Sequence, residues 1–149
     1  MAKTTEQVGA GASLARRLAV ALLLLRTGVF IVMTIWTIDK FVNPDHTARV
    51  FAAFYFIPGL SETAAYLVGV LQAALVLAFA CGFARRLSYG AVLAMHAVST
   101  LSSWGRYLDP WTTPNLLFFA AWPMLAALIA LYLLRDADVL FTVGEAHRD

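Results

Sequence analysis

Four long apolar runs, near residues 18–38, 62–84, 87–107 and 114–134, take up most of this 149-residue chain. Each is close to the ~20 residues that an α-helix needs to cross the ~30 Å hydrocarbon core of a bilayer. In lipid, backbone amides and carbonyls find only one another as partners, so runs of this length are expected as helices. With 61% hydrophobic and 13% charged residues, little chain is left for a separate soluble module. The expected fold is all-α: one integral membrane four-helix bundle over about 15–135, between a flexible tail at 1–14 and a polar tail at 136–149. The first run does not read as a cleavable signal, because Arg26 interrupts it and no small-residue cleavage pattern follows.

A net charge of +2 could suggest nucleic acid, but the placement of the basic residues points elsewhere. Lys3, Arg16, Arg17, Arg85, Arg86, Arg135 and Arg148 flank one end of the runs, and only Lys40, Arg49 and Arg106 flank the other. By the positive-inside rule both termini and the 85–86 turn are cytoplasmic, and the basic residues act as topology signals. Between the first two runs, Pro44 is expected to stop a helix. From Asp45, read as an N-cap, to Phe56 there follows an amphipathic stretch too short to span, with Val50, Phe51, Phe54 and Tyr55 on its apolar side and His46 and Arg49 on another face. It is expected as a short interfacial helix on the periplasmic surface or over the bundle mouth. The one cysteine, Cys81, excludes an intrachain disulfide.

Polar residues inside such runs are rare and carry the functional signal. Arg26, Gln72, His96 and the Trp122-Pro123 step each lie about eight to twelve residues from the cytoplasmic end of their run, which predicts one common depth. A buried arginine there costs about 3 kcal/mol or more without a partner. All nine acidic residues, Asp138 included, fall in tails, loops or run ends. The partner of Arg26 is then expected to be a neutral dipole, a bound anion or carbonyl ligand, or another chain, unless the guanidinium snorkels to the headgroups. Ser99, Thr100 and Ser103 share a helix face with His96, with Tyr107 one turn beyond. The rim residues Asp39, Lys40, Arg49, Trp104, Arg106, Tyr107, Asp109 and Trp111 suit contact with a partner, or a solvated face. His46, His96 and His147 sit at three depths, so no metal site is expected, and no catalytic constellation or nucleotide motif is visible. Arg26, Gln72 and His96 with the hydroxyl stripe form a candidate ligand site, an outward-facing pocket for a quinone-like carbonyl or a small anion. A self-satisfied structural network is the other reading.

The chain also resembles the DoxX-like family of small four-helix membrane proteins, which includes the DoxD subunit of thiosulfate:quinone oxidoreductase. The resemblance rests on Arg26-Thr27-Gly28, Lys40-Phe41, the Phe54…Pro58-Gly59 connection, Gly69-x-x-Gln72 and Gly82-x-x-x-Arg86. The family commonly has a glutamate where Gln72 stands. The resemblance implies a multi-pass protein of the bacterial cytoplasmic membrane, acting as accessory subunit of a redox complex with no cofactor of its own and with quinone as the candidate ligand. It also implies a partner membrane or periplasmic subunit, and a homo-oligomer is compatible with it. A membrane assembly factor without a ligand and an oligomeric small-solute transporter are the alternatives.

Overall fold

The computed structural model describes residues 2–143, which are all-helical apart from turns. Helix α1 spans Ala2–Val42, α2 Pro44–Tyr55, α3 Glu62–Ala80, α4 Arg85–Ser102 and α5 Trp104–Tyr107. A 3-10 segment, Asn115–Ala120, then leads into α6, Ala121–Leu133. Three of these helical stretches are long and apolar enough to cross a membrane: Gly9–Val42, Glu62–Ala80 and Asn115–Leu133. α4 is of similar length, but its polar side chains, Arg85 through Ser102, make it less apolar than the other three.

Periodicity explains how the helices meet. On α1, Ala19, Leu22, Arg26, Val29, Met33, Thr37 and Lys40 are buried, a stripe spaced by three and four residues. On α3 the equivalent stripe is Ala65, Gly69, Gln72, Val76 and Phe79. α1 packs against α3 and α6, and α4 packs against the same two. α1 and α3 approach closely at Gly69, where an added Cβ would come within 2.8 Å of the Phe41 ring and 3.2 Å of the Lys40 Cβ. Leu22, Val29, Met33, Val76, Phe79, Tyr89, Val92, Leu128 and Leu131 fill the centre. Outward-facing leucines, isoleucines and valines such as Leu24, Ile35, Leu67, Leu71 and Leu117 stay exposed, as expected of surfaces covered by lipid.

The short helix between the first two runs is present, with a different start from the expected one. Asn43 is the N-cap, its side-chain oxygen accepting from the His46 amide at 3.3 Å, and Pro44 opens the helix at a position where a missing N–H costs nothing. α2 packs on α1, α3 and α4 and so roofs one end of the helix cluster.

Both expected tails differ. Residues 2–14 of the N-terminal stretch are helical and continue α1 back to Ala2, while position 1 lies outside the described residues. At the other end, residues 134–143 fold back across the opposite end of the cluster from α2. The Val143 amide donates to the Cys81 carbonyl at 2.7 Å, and Asp138 is fully buried. Positions 144–149 of the expected tail lie outside the described residues.

Candidate functional site

Arg26 is buried, and its partner is the carboxylate that the sequence places in the tail. Its Nη1 donates to the Asp138 Oδ2 at 3.2 Å and to the Tyr89 hydroxyl oxygen at 3.1 Å, while Tyr89 itself donates to the same Oδ2 at 2.7 Å. Nη2 donates to the backbone carbonyls of Leu140 and Phe141. Arg85, also buried, donates to the carbonyls of Arg135 and Asp138. Two guanidinium groups thus clamp one short segment, and the expected ligand or foreign chain is not needed to satisfy Arg26. Snorkelling is excluded as well, because Arg26 keeps only 2% of its surface exposed.

The common depth expected for the four polar positions also fails for Arg26. Its partner Tyr89 lies seven residues before His96 on α4, about 10 Å along the axis. Gln72, His96, Ala121 and Pro123 instead line one cavity of about 770 Å³, and Arg26 does not reach it. The cavity runs from Leu24 and Leu25 at mid-α1 to Asp39 and Lys40 at its end. His46, Thr47, Val50, Phe51, Phe54 and Tyr55 of α2 form its roof. Leu24, Val32 and Trp36 of α1 and Leu117 of the 3-10 segment line it while remaining exposed, which puts its mouth on the flank between those elements.

Most of the lining is apolar, and the polar groups fall into two sets. The hydroxyl stripe on α4 is largely satisfied within its own helix: Thr100 donates to the His96 carbonyl at 2.8 Å and Ser103 to the Ser99 carbonyl at 3.0 Å. His96 Nε2 lies 3.1 Å from the Ala121 carbonyl, which can only accept, so Nε2 carries a proton and donates it there. Other groups are free. Among the described residues the Gln72 amide makes no hydrogen bond although the residue is buried, and the buried Thr47 hydroxyl has no partner. Lys40, 8% exposed, uses one donor on the Trp36 carbonyl of its own helix at 3.1 Å. Its neighbour Asp39 turns to His46 Nδ1 at 2.6 Å.

Of the sequence-derived site, the cavity therefore unites Gln72, His96, Ser99, Thr100 and Ser103 with Asp39 and Lys40 from the expected rim. Arg49, Trp104, Asp109 and Trp111 are exposed around the α2 end. Asp109 accepts from Thr112 at 2.6 Å, while the Arg106 guanidinium lies over Phe54 and Phe118 at 5.7 and 5.9 Å. Tyr107 turns inward between Phe119 and Trp122, donates to the Thr100 carbonyl at 3.1 Å, and has its phenol pushed up by burial. His46 and Thr47 are among the cavity residues absent from the expected site. Their signal was helical spacing, since His46 precedes Val50 by four residues and Thr47 precedes Val50 and Phe51 by three and four. Among the described residues no cluster of His, Cys, Asp and Glu could hold a metal.

No protein-family model, curated protein or solved structure matches the chain.

Proposed function

We propose that the chain is a four-span protein of the bacterial cytoplasmic membrane, with α4 as the fourth span and both termini cytoplasmic, acting as the quinone-binding accessory subunit of a redox complex. The observation that carries this reading is the α2-roofed cavity of about 770 Å³, within the range of ~300–1,000 Å³ usual for small-molecule sites. A quinone head needs hydrogen-bond donors for its carbonyl oxygens and an apolar exit for its tail. Gln72 has a free amide, Lys40 has free ammonium protons, and the flank opening beside Leu24, Val32 and Leu117 gives a tail a path into lipid. The residues present fit such a head group, which when bound would supply electron-carrying capacity. The chain's own part would be to hold its carbonyls and exclude water. Resemblance to DoxX-like proteins supports the same reading, and the exposed Arg49, Trp104, Asp109 and Trp111 suit a docked partner subunit.

Purified protein in nanodiscs, exposed to a photoreactive quinone analogue, tests the reading. Labelling is expected on cavity residues and is expected to fall about tenfold in Gln72→Leu, the loss of one good hydrogen bond in an apolar site. Labelling spread over the lipid-facing surface, unchanged in that variant, would remove the proposal. The buried Arg26–Asp138 network favours a second reading, an assembly factor whose polar interior only sets helix register. That reading predicts no saturable ligand at all.

A further inference from the structure

The segment that folds back after α6 has two unlike faces. Over 138–143 it forms neither helix nor strand. Asp138 is fully buried and Leu140 and Thr142 are half-buried, while Val139, Phe141 and Val143 between them are exposed, Phe141 at 84%. Thr142 lies against Gly82, whose neighbour Phe83 is exposed as well. Val139, Phe141, Val143 and Phe83 thus give this end of the helix cluster an apolar outer face.

What holds the segment also sets its depth. Its carbonyls at Leu140 and Phe141 accept from Arg26, which lies nine residues further along α1 than the exposed Arg17. At 1.5 Å per residue that is ~13 Å on the apolar side of the Arg16-Arg17 pair, and basic pairs of this kind mark the headgroup zone. Irregular backbone is tolerated at such a depth only where its polar groups find partners inside the protein. Arg85 takes the carbonyls of Arg135 and Asp138, Arg26 takes those of Leu140 and Phe141, and the Val143 amide donates to the Cys81 carbonyl at 2.7 Å. In water the same carbonyls would need no guanidinium.

We propose that residues 138–143 are embedded in the adjoining bilayer leaflet, with phospholipid acyl chains covering Val139, Phe141, Val143 and Phe83. The proposal goes beyond the cavity: it requires only that the helices span a membrane, and it holds whichever compartment this end faces. Two observations make lipid the occupant. The face continues the outward flank of α3, where Leu71 and Leu77 are exposed, and the exposed Arg16, Arg17 and Arg86 at the same end complement phosphate head groups. Arg26 and Arg85 then have a task besides closing the fold on Asp138. They cap carbonyls that water cannot serve, which lets an irregular segment lie against hydrocarbon.

Spin labels at Val139→Cys and Phe141→Cys, in full-length Cys81→Ser protein in nanodiscs of phosphatidylcholine and phosphatidylglycerol, test this by power saturation. Oxygen concentrates in hydrocarbon and a nickel chelate stays in water; Leu71→Cys and the exposed Asp136→Cys serve as the two references. Labels at 139 and 141 are expected to be severalfold more accessible to oxygen than to the chelate, as at Leu71→Cys and opposite to Asp136→Cys. The protein without substitutions, irradiated beside phosphatidylcholine carrying a diazirine on its acyl chain, is expected to crosslink within 139–143, and it decides if a cysteine loosens the segment. Greater access to the chelate at 139 and 141 with no crosslink there, as in a solvated tail, overturns the proposal. Access to neither reagent with no crosslink, as under a second copy or a partner subunit, overturns it too. If Leu71→Cys itself favours the chelate, the membrane-spanning reading falls with it.

Discussion

At Arg26 a single side chain joins parts of the protein 112 residues apart in sequence, since its guanidinium meets Asp138 inside the helix cluster. The pair is nearly dry, with 3% and 0% of the two side chains exposed. Removing one partner strands the other, so Asp138→Ala is expected to destabilise by about 3–5 kcal/mol, read as a lowered midpoint of thermal unfolding in detergent. Tyr89→Phe removes one donor to the same carboxylate and is expected to cost about 1–2 kcal/mol. Joint replacement, Arg26→Met with Asp138→Leu, is expected to recover much of the loss, because apolar groups leave no buried charge behind. If the double variant were as unstable as the two single losses added together, the pair would not be acting as a unit.

The segment after α6 behaves as an element in its own right, a strap laid across the turn between α3 and α4. Gly82 makes room for it. At φ +60 its ideal Cβ would stand 2.6 Å from Thr142 Cγ2 and 3.0 Å from Arg26 Nη1, so Gly82→Ala meets strain and contact together. The expected cost is about 1–3 kcal/mol, with faster proteolysis after Leu134 as the measurable sign that the strap has come away. Two residues on, Ala84 also has a left-handed backbone, φ 46, without needing its methyl there, and Ala84→Gly is expected to stabilise by about 1 kcal/mol in the same unfolding assay. Helices were largely legible from the sequence because run length and three-to-four spacing are local properties: α1, α3 and α6 follow the apolar runs, and α2 follows Val50, Phe51, Phe54 and Tyr55. Gln72 and His96 were legible as cavity residues for the same reason. The strap was not, because its ordering depends on two distant arginines and its own composition is mixed. Val139-Leu140-Phe141 directly after Asp138, set beside an arginine lacking any acid within its run, was the signal that the stretch is not a solvated tail.

On the scale of the whole molecule, the two ends of the helix cluster are built differently. One carries α2 and a large cavity; the other is filled by charged side chains and the strap. Under the proposed orientation, exposed Cys81 faces the cytoplasm and exposed Asp45 faces the opposite compartment. A membrane-impermeant maleimide applied to intact spheroplasts is expected to label Asp45→Cys in a Cys81→Ser background and to leave Cys81 of the wild type untouched until the membrane is opened. The reverse pattern would invert the whole assignment. The Arg26–Asp138 closure also sets an order in time. Arg26 leaves the ribosome 112 residues before its counter-ion, an interval of about 6–20 s at ordinary rates of synthesis. Throughout it the first helix must wait with its charge at the membrane surface or in the insertion machinery. The strap therefore arrives after the helices it closes, and its arrival lets the first helix settle.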